Sequence, residues 1–241
     1  GIPGASGLVA DVGGGSLELI RLTRDGRHDA NTLPLGVIRL GDRAKGDLAV
    51  AKTLADADIG AVSWLSKVKG DTLYLVGGAF RALARLHIAR MQYPLNIVHY
   101  YTLEAEEARE MTGWLLHAPR RSLERLPGAP KKRLDDVPFA ATVLRRLLRR
   151  VQPNKVVFCV DGLREGWYML NVAPDCLPQD PMEVVAQDMC TRLGRSNKVP
   201  QALFKWTNPL FLKETRQLKH LRRIACWLSD VGSHDHPEYR A

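Results

Sequence analysis

A chain of 241 residues with 45% apolar and 25% charged residues has the size and composition of a globular protein, enough for one large domain or two small ones. No apolar run approaches the roughly 20 residues of a membrane span, and residues 1–6 lack the basic and apolar regions of a secretion signal, so a cytoplasmic protein is expected. The formal net charge of +9 favours a polyanionic partner without choosing among nucleic acid, polyphosphate, nucleotide or anionic surface.

Taken in chain order, residues 1–6 (GIPGAS) read as a loop with no start signal, as if the chain had been cut from something longer. Residues 8–20, LVADVGGGSLELI, predict two strands joined by Gly13, Gly14, Gly15 and Ser16. A tip without β-carbons can take positive φ and converge its amides on an anion such as phosphate. Asp11, at the edge of that turn, would repel phosphate directly and is suited to hold a hard divalent cation beside it. An ordinary glycine-rich hairpin has the same local pattern.

An Asp25-Gly26 turn leads into a third strand over residues 28–40, which makes an antiparallel meander. Residues 47–68 fit a helical period, and residues 73–76 a short buried strand. Gly77 and Gly78 follow at once and open a helix over residues 79–91, so strand, glycines and helix N-terminus form a second anion or nucleotide platform. Residues 98–102 suggest a strand and 104–117 a helix with acids in its first turn. Pro119, Pro127, Gly128 and Pro130 mark residues 118–137 as a loop.

Residues 139–151 form a basic amphipathic helix, with Val143, Leu144, Leu147 and Leu148 on one side and Arg145, Arg146, Arg149 and Arg150 on the other. That basic side is either a solvated face or a track for a long polyanion. Residues 155–160 read as a buried strand that turns through Gly162 into a helix ending near Leu170. Residues 180–193, 201–212 and 214–230 predict three further amphipathic helices. The four cysteines, Cys159, Cys176, Cys190 and Cys226, show no ligand spacing and indicate free thiols with no zinc site. His234, Asp235 and His236 lack convergent partner ligands, and His87 reads as a packed core histidine.

This order of elements is the half-domain pattern of the actin, sugar kinase and Hsp70 superfamily. The combination of DVGGGSLEL at 11–19, LPLGVIRL at 33–40, VGGAFRALA at 76–84 and GLREG at 162–166 resembles the exopolyphosphatase and guanosine pentaphosphate phosphohydrolase family. The expected fold class is α/β: one actin-like, ribonuclease H-like lobe with a mixed sheet and flanking helices over residues 1–178, then a truncated all-helical region over 179–241. LSDVG at 228–232 and HPEYR at 236–240 resemble the start of the family's helical domain related to HD phosphohydrolases.

The resemblance implies a cytoplasmic hydrolase of phosphoanhydride bonds that uses Mg2+ and acts on inorganic polyphosphate or guanosine pentaphosphate. No nucleic acid or membrane is expected as a partner, and a homodimer is possible. It makes Asp11 the metal-associated residue, with Gly13, Gly14, Gly15, Ser16, Gly77 and Gly78 holding phosphate. Glu18 becomes an accessory catalytic carboxylate that places metal or water. Phe80 departs from the smaller residue the family uses after its second glycine turn, Arg81 reads as a helix-surface arginine or else a phosphate ligand, and Arg164 and Glu165 as an internal ion pair. The family's N-terminal lobe, with a DxGSNS-like motif and the water-activating glutamate, does not occur in this chain, and Glu104, Glu106 and Glu107 lie in the wrong order to replace it. Such a piece would bind phosphate without being a competent hydrolase by itself. A non-catalytic polyphosphate- or nucleotide-binding module is the alternative.

Overall fold

In the computed structural model, which describes residues 4–176, 178–194 and 196–232, the apolar alternation near the start becomes an antiparallel meander of β1 (Gly7–Val12), β2 (Leu17–Thr23) and β3 (Gly26–Leu33). Leu8, Ala10 and Val12 of β1 and Leu17 and Leu19 of β2 are buried, whereas Val9, Asp11, Glu18 and Ile20 are half-buried. Each buried leucine contributes about 1.5–3 kcal/mol, and the period of two sends Asp11 to the face opposite that core.

The chain continues through α1 (Val37–Arg43), α2 (Leu48–Gly60), a 3-10 segment (Ser63–Val68), β4 (Thr72–Val76) and α3 (Gly78–Arg90). Then come β5 (Thr102–Glu104), α4 (Ala105–His117), α5 (Arg120–Glu124), α6 (Val137–Val151), β6 (Lys155–Phe158) and α7 (Leu163–Leu170). The strands form one sheet in the order β3-β2-β1-β4-β6-β5. β1, β4 and β6 run parallel and the other neighbours antiparallel, which gives the expected mixed sheet with flanking helices. The carboxyl ends of β1, β4 and β6 therefore share one edge, where open α/β sheets place their ligands.

Four boundaries differ from the sequence reading. The third strand stops at Leu33, because Pro34 cannot continue the ladder and Gly36 caps α1, so most of LPLGVIRL turns and becomes helix. Residues 47–68 split into α2 and the 3-10 segment. The strand expected at 98–102 begins only at Thr102, after Tyr100 adopts a left-handed φ of 64°. Residues 118–137 are not all loop, since α5 and a 3-10 turn at Lys131–Arg133 lie within them.

Gly36 makes the tightest approach to the first hairpin. A β-carbon on it would fall 2.2 Å from the Ser16 amide nitrogen and 2.4 Å from that of Gly15. With Gly36 in place, Val37, Ile38 and Arg39 donate their amides to the Gly13 and Gly14 carbonyls at 3.0 Å, so three orphan donors of the α1 N-terminus are satisfied by the turn itself.

By contact the chain divides into two compact units, Gly1–Met169 and Leu170–Ala241. The second is helical and contains α8 (Pro181–Leu193), α9 (Val199–Thr207) and α10 (Arg216–Leu228). Arg222 ties it together. Its guanidinium pairs with Glu214 at 2.5 Å, donates to Thr207 Oγ1 at 2.9 Å and Asn208 Oδ1 at 2.8 Å, and lies 4.2 Å from the Phe204 ring centre. A nearly buried charge is tolerated when paired and hydrogen-bonded on several sides.

Gly36→Ala is expected to destabilise the first unit by about 1–3 kcal/mol through overpacking. Gly60→Ala, at an open helix end with nothing within 4 Å of the added carbon, should be neutral or slightly stabilising. Urea denaturation followed by far-UV circular dichroism compares the two; equal stability of both variants would show that the turn accommodates the added carbon.

Candidate functional site

The sheet's pairing brings the two glycine turns together. Asp11 sits opposite Glu18 across the β1–β2 ladder and opposite Val76 across the β1–β4 ladder, so the Gly13–Ser16 turn and the Gly77–Gly78 turn leave adjacent strands at the same level. Gly77 has a φ of 100°, and a β-carbon there would lie 2.4 Å from the Val12 carbonyl and 2.7 Å from Asp11 Oδ1. Only glycine fits, by conformation and by space.

Two carboxylates directly opposed on neighbouring strands repel one another. The Asp11 carboxyl is accordingly held above the usual carboxylate range, first by burial and then by the charge of Glu18, with Arg81 pulling the other way. Glu18 is fixed by the Ser16 hydroxyl, which donates to its Oε1 at 2.5 Å. Two opposed carboxylates, only partly offset by Arg81, are a donor set of hard oxygens, and such residues fit a hard divalent cation such as Mg2+. At the turn, Gly13 N–H is spent on the Ser16 carbonyl at 3.0 Å. The amides of Gly14, Gly15 and Ser16 donate to no protein acceptor among the described residues.

The sequence-predicted site residues Asp11, Gly13, Gly14, Gly15, Ser16, Glu18, Gly77 and Gly78 thus gather at one sheet edge. Phe80 is fully buried in the core and leaves this edge clear. Arg81 is more than a surface residue. It is half-buried, and the electrostatic influence of its charge reaches both Asp11 and Glu165. The expected Arg164–Glu165 ion pair is absent among the described residues. Glu165 instead accepts from the Gly162 amide at 2.7 Å, which holds its carboxyl below the usual range, because a carboxylate this close to its own turn prefers the backbone donor.

Sequence reasoning missed Arg133. Its guanidinium lies across the start of α3, so close that a β-carbon on Gly78 would come within 2.8 Å of it. With Arg81, Arg85, Lys131 and Lys132 it lines a cleft of about 520 Å³ that has no aromatic wall. The signal was the run PKKR at 130–133, which a loop assignment left without a position in space.

His99, Cys159 and Asp161 also converge, each with a ligand atom within 4.8 Å of the others, although their sequence spacing gave no sign of it. The Val160 amide donates to His99 Nδ1 at 3.3 Å and Asp161 Oδ2 lies 3.8 Å from Nε2, so both ring nitrogens already have protein neighbours. Burial pushes the Cys159 thiol up. His87 is buried as expected and meets the Tyr101 hydroxyl at 2.8 Å. His234, Asp235 and His236 lie outside the described residues.

The family model described as the Ppx/GppA phosphatase family matches residues 2–172. Among solved structures, the chain resembles the type II variant of the Aquifex aeolicus Ppx/GppA phosphatase at 20% identity with a TM-score of 0.57, over 71% of this chain and 58% of that one. It resembles an exopolyphosphatase from Cytophaga hutchinsonii at 22% identity with a TM-score of 0.59, over 70% of this chain and 58% of that one. At such identities the likeness shows the fold, and the chain spans less than three fifths of the length of either. No curated protein matches the chain.

Because the folded state raises the Asp11 pKa, it binds that proton more tightly than the unfolded chain does, and stability is lost as pH rises through the folded value. Asp11→Asn should therefore raise the melting temperature of the metal-free protein at neutral pH by about 2 °C. The advantage should close as pH falls through the Asp11 pKa. Thermal scans across acidic to neutral pH test this, and a variant less stable than wild type at neutral pH would refute it.

Proposed function

This chain belongs to the Ppx/GppA phosphatase family, and from that premise we propose that its first unit is the phosphate-holding lobe of a phosphoanhydride hydrolase whose substrate is inorganic polyphosphate. One observation carries the reading: the opposed carboxylates of Asp11 and Glu18 stand beside a glycine turn with unspent amides and against a second glycine turn.

Mg2+ held by Asp11 would supply charge neutralisation at the terminal phosphoryl oxygens. The amides of Gly14, Gly15 and Ser16 act on the same group by donating to oxygens whose negative charge grows as the anhydride bond breaks. Gly77 and Gly78 let the substrate approach the start of α3, whose first turn favours negative charge. Glu18, oriented by Ser16, is the accessory carboxylate that places water. The cleft beside Gly78 favours polyphosphate over guanosine pentaphosphate, since it offers five cations to a phosphate chain and no ring on which a base could stack.

Binding is the decisive readout, because positioning and base assistance supplied by the rest of a longer enzyme are together worth many orders of magnitude in rate. The 241-residue chain should bind tripolyphosphate in a Mg2+-dependent manner. Asp11→Ala should weaken that binding by about 10-fold or more, while Lys205→Ala, in the second unit, should leave it unchanged. Isothermal titration with and without Mg2+ measures both. Binding that ignores Mg2+ and survives Asp11→Ala would sink the assignment, and turnover by this chain comparable to that of a longer family member would show that the water-activating group lies within it.

A further inference from the structure

A second cationic surface lies along α6, away from the glycine turns. Of the four arginines expected on one solvated side, Arg149 and Arg150 are exposed and Arg145 half-buried, but Arg146 is 8% exposed. Arg146 is pinned by Asp56 of α2 at 3.1 Å, and its Nε has no hydrogen-bond partner among the described residues. It lies low because α6 packs against α2 and α4, and the seam between them runs past that position. Arg146 lines three clefts of about 320, 360 and 480 Å³. Two of the clefts flank α6, one toward α2 and one toward α4, and the third, at Thr142, touches both helices, so they form a branched groove around Arg146 and Arg149 between Thr142 and Gln152. Ten residues of helix make that groove about 15 Å long.

The lining is almost wholly of one sign. Lys52, Arg109, Arg145, Arg149, Arg150 and Lys69 border the groove above Arg146, and Asp56 is the one carboxylate among its lining residues. Gln152 marks its far end, just before β6, and Lys69 stands just before β4. That end of the groove is at the amino edge of the parallel strands, opposite the edge that carries Asp11 and Gly77. The two surfaces are therefore separate. His117 is the only ring in the lining, so the groove offers regularly spaced cations without the stacking platforms that single-stranded nucleic acid uses.

We propose that this groove is a second polyanion site, which holds the linear body of a long inorganic polyphosphate chain at a distance from the glycine turns. The choice of polyphosphate rests on the function proposed above; the existence of a polyanion groove does not. A chain engaged here is retained by the protein independently of its terminal phosphate, and a short substrate gains nothing from the site.

The test compares long-chain polyphosphate with tripolyphosphate, titrated into the full 241-residue chain between about 50 and 200 mM salt. Replacing Lys69, Arg145, Arg149 and Arg150 by Ala should weaken long-chain binding by about 100-fold at low salt. It should also reduce the slope of log affinity against log salt by about 3, at roughly 0.7 for each charge on a single strand. Tripolyphosphate binding should not change. Should the quadruple variant misfold by circular dichroism, Arg149→Ala/Arg150→Ala alone removes two solvated charges and should lower the slope by about 1.4. Unchanged long-chain affinity and slope, or equal losses for tripolyphosphate, would overturn the proposal. So would tighter binding of single-stranded DNA with the same dependence on these residues, which would make nucleic acid the occupant. If tripolyphosphate fails to bind while long chains still bind through α6, the glycine-turn reading fails and the groove stands.

Discussion

Where β1 and β4 end, the backbone at Gly77 passes so close to Val12 and the Asp11 carboxylate that no side chain fits between them. Everything at the sheet edge depends on that approach. It sets the second glycine turn beside the first, keeps Asp11 half-buried against Glu18, and starts α3 at the place where a cation-rich cleft opens. The repulsion between the two acids is the counterpart of this packing: the fold tolerates opposed like charges beside its two glycine turns.

The parts legible from sequence were those fixed by near neighbours in the chain. A period of two placed Asp11 and Glu18 on strands, three glycines placed the turn between them, and Val76-Gly77-Gly78 announced the second turn. The third strand was overextended because residues 36–40 alternate well enough to look like sheet. Pro34 ends the ladder locally, but the helix that follows is set by the contact of Gly36 with a turn twenty residues earlier, which the local pattern does not show. Arg146 reads as surface from helical periodicity alone, and it is buried because α2 brings Asp56 to it across 90 residues. His99 meets Cys159 and Asp161 only through the pairing of β5 with β6, which no local pattern encodes.

Charge divides the first unit into two kinds of surface. Near the glycine turns, cations and anions are interleaved: Arg81 with Asp11 and Glu165, and Arg133 with Asp136 at 3.9 Å. Along α6, Arg146 pairs with Asp56 and the neighbouring Arg109 with Glu106, but Arg145, Arg149 and Arg150 form no ion pair among the described residues. Interleaving suits a short, highly charged group whose position matters, while an unbroken row suits a long one whose position does not. The net charge of +9 concealed this difference.

The bonds from Val37, Ile38 and Arg39 to the carbonyls of Gly13 and Gly14 join a seven-residue helix to the turn as one opening unit. A helix that short has little persistence of its own. Its amides can exchange with solvent only when the turn unhooks, so their exchange lifetimes report the opening of the turn directly. A phosphate that steadies the turn would lengthen those lifetimes in a helix it never touches.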